Sequence, residues 1–140
     1  MPMWHIYCPE SLYSREDKKK FAERITKFYE KFVNLPRFYV SVIFQELPPH
    51  SFFMGGEETS DFVRIWIDHV ARTTAEDGQD ALMRAVNKTI DPFVHERGLR
   101  SEIHIDDTPI GLWSIQGLKP PDANSDVEKK WIAENKPSKY

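Results

Sequence analysis

The order of strand-like and helix-like stretches constrains the fold of this chain more than any other feature. Residues 38–44, Phe-Tyr-Val-Ser-Val-Ile-Phe, are rich in β-branched and aromatic side chains, with Phe38, Val40, Val42 and Phe44 on one face; this is the make-up of a strand. Residues 3–8 have the same character. Between them, Ser14-Arg15-Glu16-Asp17 has the form of a capping box, with Asp in place of the usual Glu or Gln. Phe21, Ile25, Phe28 and Phe32 follow, with Ala22 and Tyr29 alongside, at the helical period. Asn34-Leu35-Pro36 ends that helix. Strand, helix and strand in this compass make a βαβ unit, in which the strands are parallel and the crossover right-handed.

The order recurs. Residues 62–68 alternate as a strand, and Thr74-Ala75-Glu76-Asp77 is a second capping-box-like start. Leu82, Ala85, Val86, Ile90, Phe93 and Val94 form a helical face, which Pro92 is expected to bend and Gly98 to stop. Residues 101–106 read as a short strand with Ile103 and Ile105 inward. The expected fold is a single α+β domain, with tandem β-α-β repeats giving a four-stranded sheet and two helices on one face. Its parts are a first βαβ unit over 1–46, a loop over 47–60, a second unit over 61–107 and an extension over 108–140. Pro48, Pro49, Gly55 and Gly56 break regular structure in the loop; its Phe52, Phe53 and Met54 are expected to pack on a neighbouring subunit or over a pocket. In the extension, residues 127–135 read as a short helix anchored by Trp131 and Ile132. Bare sheet edges invite pairing with other chains, so a closed oligomer is expected, with the extension at its interface.

Composition narrows the class. The chain has 140 residues, 40% hydrophobic and 13% aromatic, which is compatible with a real core, and a net charge of −3. The longest basic run, Lys18-Lys19-Lys20, lies beside Glu16 and Asp17 and reads as a solvated helix face; no nucleic-acid partner is expected. No apolar run approaches the roughly 18 residues of a membrane span, and the first residues lack a signal-peptide pattern. The single cysteine, Cys8, excludes an internal disulfide and fits a reducing compartment. A cytoplasmic protein without a membrane partner is expected.

Chemistry concentrates at residue 2. Pro2 follows the initiator Met and heads a strand. Removal of Met1 would leave it a free secondary amine. An α-amino group ordinarily titrates near 7.7–8.0, and burial or a nearby cation lowers that value. Such an amine is a good general base, and its conjugate acid a good general acid. If Met1 stays, the Pro2 nitrogen is an amide and has no such chemistry.

With Pro2 ahead of tandem βαβ units and a C-terminal extension, the chain resembles the tautomerase superfamily. Its length, Phe44-Gln45-Glu46, Met54-Gly55-Gly56 and the spacing from Pro109 to Gly117 are most similar to the branch of cis-3-chloroacrylic acid dehalogenase and its fungal relatives. The resemblance covers essentially the whole chain and rests on the order of short motifs. It implies a homotrimer, an amino-terminal proline as base or acid, a small carboxylate substrate and no cofactor. The dehalogenase's first-helix histidine falls at Tyr29. Its two arginines after the third strand fall in His69-Val70-Ala71-Arg72-Thr73, where Arg72 stands alone. Its fourth-strand tyrosine falls at His104. Its water-activating glutamate falls near Ile115 and Gln116, where there is no carboxylate.

The remaining set suits keto–enol tautomerisation. Pro2 moves the proton, Arg72 grips a carboxylate in a bidentate fork, and His104 or Tyr29 donates to the developing enolate. His69 and Trp113 are expected to contact substrate. Each has a structural alternative: Arg72 paired with Glu76, Tyr29 as packing, His104 at solvent or an interface, Trp113 in the core. His104, Asp106 and Asp107 offer too few ligands on one face for a metal. Two other functions share the resemblance: hydration or dehalogenation of 3-haloacrylates, which lacks its glutamate here, and non-enzymatic binding like that of the cytokine members.

Overall fold

The computed structural model describes the whole chain, Met1–Tyr140. The first strand, β1 (Met3–Pro9), leads into α1 (Arg15–Val33), where the anticipated capping box forms. Ser14 Oγ accepts the Asp17 N–H at 3.0 Å, and Asp17 Oδ2 accepts the Ser14 N–H at 3.2 Å. Asn34, in the left-handed conformation, caps the other end. Then follow β2 (Ser41–Leu47), a small hairpin of β3 (Phe53–Met54) and β4 (Glu57–Glu58), and β5 (Phe62–His69). The chain continues through α2 (Gln79–Ile90), β6 (Arg100–Asp107) and α3 (Asp126–Glu134).

The main sheet is four-stranded in the order β2-β1-β5-β6. β1 and β2 are parallel, as are β5 and β6, and the two pairs meet along the antiparallel β1–β5 seam. The architecture is α+β, two βαβ units joined side by side. Trp4, Ile6 and Cys8 of β1 and Val63, Ile65 and Ile67 of β5 are fully buried beneath the helices. Phe21, Ile25, Phe28 and Tyr29 of α1 and Val86 and Ile90 of α2 meet them. On the opposite face no helix packs; there His5 stacks on Trp66 at 4.9 Å and Trp66 on His104 at 5.7 Å. No helix is long and apolar enough to cross a membrane.

Several boundaries differ from the sequence reading. Phe38 and Tyr39 lie in a 3-10 turn, Arg37–Tyr39, because Tyr39 turns inward to a buried position and the Phe38 N–H is taken by Asn135 Oδ1 instead of a strand partner. Part of the expected loop is the β3–β4 hairpin, turned by Gly55 and Gly56 at φ +60° and +86°, backbone that favours glycine. Phe52 packs on Phe62 at 5.7 Å, whereas Phe53 is exposed. The second capping box does not form: a 3-10 turn at Glu76–Gly78 precedes α2, which has no side-chain cap. Pro92 does not bend α2, which stops at Ile90 and gives way to 3-10 turns. Phe32, expected on the apolar face of α1, is 76% exposed and touches Phe28.

The extension docks through α3. Trp131 is fully buried and meets Phe38 and Tyr39, while its Nε1–H donates to the Ser138 carbonyl at 2.9 Å. Trp131→Ala should therefore cost about 3–5 kcal/mol, read as a lowered urea midpoint, with the loss falling on the packing of residues 108–140.

Candidate active site

Register brings Pro2 into the interior. Met3 pairs with Asp68 on β5 and with Ser41 on β2. The Pro2 carbonyl accepts the Ser41 N–H at 3.0 Å, and Pro2 is buried. It lines a cavity of about 50 Å³ with Tyr29, His69, Arg72 and Thr74, walled by apolar residues including Val33, Leu35 and Leu82. A wider groove, about 800 Å³, runs between α1 and α2. That groove is an open trough along helix surfaces, and its lysines include Lys20 and Lys27, paired with Glu16 and Glu23 in their own helix. Its lining is mostly charged side chains on open helix surfaces, whereas the smaller cavity is apolar-walled with a few polar groups and is the better candidate.

The polar wall is built from two elements. Tyr29 lies on the buried side of α1, one turn after Ile25, and His69 is the inward-facing last residue of β5. Trp4 Nε1 donates to Tyr29 Oη at 3.0 Å, and Tyr29 Oη lies 2.7 Å from His69 Nε2. An indole can only donate, so Tyr29 accepts from Trp4 and keeps its own proton for His69. Burial pushes the Tyr29 hydroxyl's pKa upward and so keeps it protonated. Burial also lowers the His69 pKa, opposed by Asp107, whose Oδ1 is 4.0 Å from Nδ1. Neutral His69 with its proton on Nδ1 then offers Nε2 as the acceptor of the Tyr29 hydroxyl.

Arg72 enters from the segment after β5. Its Nη1 donates to the Ala71 carbonyl at 2.9 Å and to Glu128 Oε1 at 3.2 Å, and its Nη2 donates to Glu128 Oε2 at 2.8 Å. Glu128, on α3, is 1% exposed and also accepts the Asn124 N–H at 2.7 Å. The partner of Arg72 is therefore Glu128 and not Glu76. These charges act on the amino terminus: the Met1 ammonium is pushed down from 8.0 to about 4 by burial and then by Arg72, with Glu128 opposing.

Of the residues singled out from the sequence, Pro2, Tyr29, His69 and Arg72 come together. His104 does not join them within one chain. It lies on the other face of the sheet, stacked on Trp66, hydrogen-bonded to Arg64 and 3.6 Å from Asp106. Trp113 is half-buried edge-on to Tyr39 at 4.8 Å, outside the cavity lining. Sequence reasoning missed Glu128. Its one local signal was Ser125-x-x-Glu128, a capping-box pattern, and Ser125 Oγ does accept the Glu128 N–H at 3.2 Å. The carboxylate, however, goes to Arg72 and Asn124 instead of returning to Ser125.

A family profile described as "Putative oxalocrotonate tautomerase enzyme" matches residues 1–136. The chain belongs to the tautomerase superfamily. Among solved structures, this tautomerase-family chain is similar to native RhCC from Rhodococcus jostii, with 43% identity over 99% of each chain and a TM-score of 0.95. It is similar to a protein from the thermophilic fungus Aspergillus fumigatus, titled a "probable enzyme", with 36% identity over 100% of this chain and 98% of that one, TM-score 0.92. A member of the cis-3-chloroacrylic acid dehalogenase family shares the fold at 22% identity, over 94% of this chain and 90% of that one, TM-score 0.74. No curated protein matches the chain.

The depressed His69 pKa makes stability pH-dependent. The unfolded chain takes up a proton below the ordinary value of 6.5 while the folded chain does not, so stability is lost as the pH falls through that value and down to the lower folded one. The amino terminus contributes in the same direction. His69→Gln should therefore lose less stability than the parent between neutral and mildly acidic pH, measured by urea denaturation on either side of pH 6.5.

Proposed function

We propose that the protein is a cofactor-independent tautomerase acting on small α-keto or unsaturated carboxylic acids, with Pro2, freed by removal of Met1, as base and conjugate acid. The observation that carries this reading is the meeting of Pro2, Arg72 and the Tyr29–His69 pair in one small, apolar-walled cavity, at an end of the chain where burial and Arg72 lower the pKa of the neighbouring Met1 ammonium. The Nε–H of Arg72 and the second proton of Nη2 make no bond within the chain, which leaves a side-on fork for the substrate carboxylate. The Pro2 lone pair takes the proton from one end of the enol system and returns it to the other. Tyr29, turning its proton from His69 toward the substrate oxygen, offsets the charge that develops there.

Hydration or dehalogenation needs a carboxylate free to activate water. Glu128 is the carboxylate beside Arg72, and both its oxygens are engaged, which favours proton transfer over water chemistry. The same reading includes assembly as a homotrimer in the cytoplasm. The helix-free sheet face and the exposed Phe32, Phe53 and Leu112 support assembly, and free Cys8 suits a reducing compartment.

The test is labelling with a small halogenated keto acid, followed by intact mass and peptide mapping. Cys8 is buried and its thiol pushed up to about 11, chiefly by burial, so the label should fall on Pro2 in chains that have lost Met1. Pro2→Ala should lower the ketonisation of phenylenolpyruvate by about 10²-fold or more, and Arg72→Ala should raise KM by about 10–100-fold. Retained Met1, or a label on Cys8 with Pro2 untouched, overturns the reading.

A further inference from the structure

The arginine that faces the cavity is already holding a carboxylate of its own chain. Glu128 meets Arg72 end-on, Oε1 with Nη1 and Oε2 with Nη2, at 3.2 and 2.8 Å. The Ala71 carbonyl fixes the second proton of Nη1. Three of the five guanidinium N–H groups are thereby committed, and the two that remain, Nε–H and the outer Nη2–H, form the side-on edge. Glu128 is itself anchored from behind: the Asn124 N–H binds its Oε2, and Ser125 Oγ accepts its backbone N–H. At 1% exposure it is closed to solvent, whereas the Arg72 side chain is 22% exposed.

We infer that Glu128, from the C-terminal extension, is the positioning residue of the site: it locks Arg72 so that a single, side-on edge is presented to the substrate carboxylate, and it balances the arginine's charge beside the amine of Pro2. The inference rests on the reading of Pro2 as base and Arg72 as carboxylate ligand. An arginine with both forks free can grip a carboxylate in two orientations, and each places the rest of the substrate differently relative to Pro2. Occupying the end-on fork leaves one orientation, which is how a small acid is aligned for proton transfer. The charge has a second consequence. Burial and Arg72 both disfavour an ammonium at the amino terminus, and Glu128 works against them. Once Met1 is removed the same field acts on the Pro2 amine, and Glu128 limits how far that amine's basicity falls. Glu128 acts through Arg72 and through its field; with both oxygens engaged it does not itself touch the reacting atoms.

The experiment compares Glu128→Gln and Glu128→Ala with the parent, all with Met1 removed, in two assays. The first is the rate of Pro2 alkylation by the halogenated keto acid as a function of pH. The second is the steady-state ketonisation of phenylenolpyruvate. Both variants delete the charge, so in both the acid limb of the alkylation profile should move to lower pH, by about one unit. Orientation should separate them. Glu128→Ala frees the end-on fork and should raise KM by about tenfold or more, while Glu128→Gln keeps an acceptor oxygen for Arg72 and recovers part of that loss. A purely structural role would lower the melting temperature and move neither the acid limb nor KM; that result in folded Glu128→Gln overturns the inference. Loss of kcat in Glu128→Gln with KM and the acid limb unchanged also overturns it, since Glu128 would then be carrying a proton itself. If Glu128→Ala does not fold, the acid limb of Glu128→Gln decides. Failure of the underlying reading looks different: the parent protein itself would show no label on Pro2.

Discussion

The placement of the first strand in the middle of the sheet governs the rest of the molecule. β1 is bonded on one side to β2 in parallel and on the other to β5 in antiparallel, so the two βαβ units share it as a seam. At the head of this central strand Pro2 is buried between its two neighbours. Met3 lies opposite Asp68, and one step back along the same register sets Pro2 beside His69 at the end of β5. The parallel partner fixes the depth, since the Pro2 carbonyl is bound to the Ser41 N–H. Tyr29 then comes within reach from above because it falls on the same buried stripe of α1 as Ile25. The cavity is a by-product of this geometry: it opens where the central strand starts and the helix layer ends.

The last third of the chain reaches the site only through Arg72, which lines the cavity and pairs with Glu128. Residues 108–140 contribute little regular structure, a short bridge between Ile115 and Leu118 and the nine residues of α3. They are held instead by aromatic contacts of Trp113 and Trp131 with Tyr39, and by the Arg72–Glu128 pair. A carboxylate buried to this degree is unfavourable without a partner, and removing one member of such a pair typically costs about 3–5 kcal/mol. Arg72 is thus tied to two tasks, docking the extension and facing the cavity. The Tyr39 hydroxyl, buried without a hydrogen-bond partner, belongs to the same region. Burial raises its pKa first, Glu128 adds to that and Arg72 opposes it.

Much of the fold could be read from local chemistry, and the failures have local reasons. Ser14 and Asp17 predict their capping box because both halves of it lie within one turn of chain. Thr74 and Asp77 repeat the spacing without the outcome, since the chain spends Glu76–Gly78 on a 3-10 turn before α2 begins. Phe38 and Tyr39 look like strand residues because aromatic residues suit strands, yet their aromaticity serves packing under α3. The site was legible in part. Tyr29, His69 and Arg72 are polar residues at or beside the inner ends of predicted elements, where a cavity between layers forms. The alternation of β6 contained the answer for His104 as well: if Ile103 and Ile105 face the helices, His104 faces away. Periodicity alone did not reveal on which side of the sheet the cavity opens. Glu128 was beyond sequence reasoning because its meaning lies 56 positions away, at Arg72.

The charge balance of the site follows from these placements and bears on its chemistry. Arg72 and Glu128 carry opposite charges, so the pair adds little net charge beside the cavity, and burial is the leading cause of the lowered Met1 ammonium pKa, ahead of Arg72. A carboxylate substrate then adds one uncompensated negative charge in a region of low dielectric. With Pro2 as the free amine of the proposed mechanism, that charge favours its protonated form, so binding the substrate would raise the basicity of the base. Such an amine, neutral before the substrate binds, would gain basicity as the carboxylate is seated beside it. Without Glu128 the substrate charge would act on the amine to the same extent but from a lower starting point, because Arg72 alone would hold the amine's pKa further down. In the proposed mechanism Glu128 therefore serves the amine indirectly, by offsetting the arginine's share of that depression.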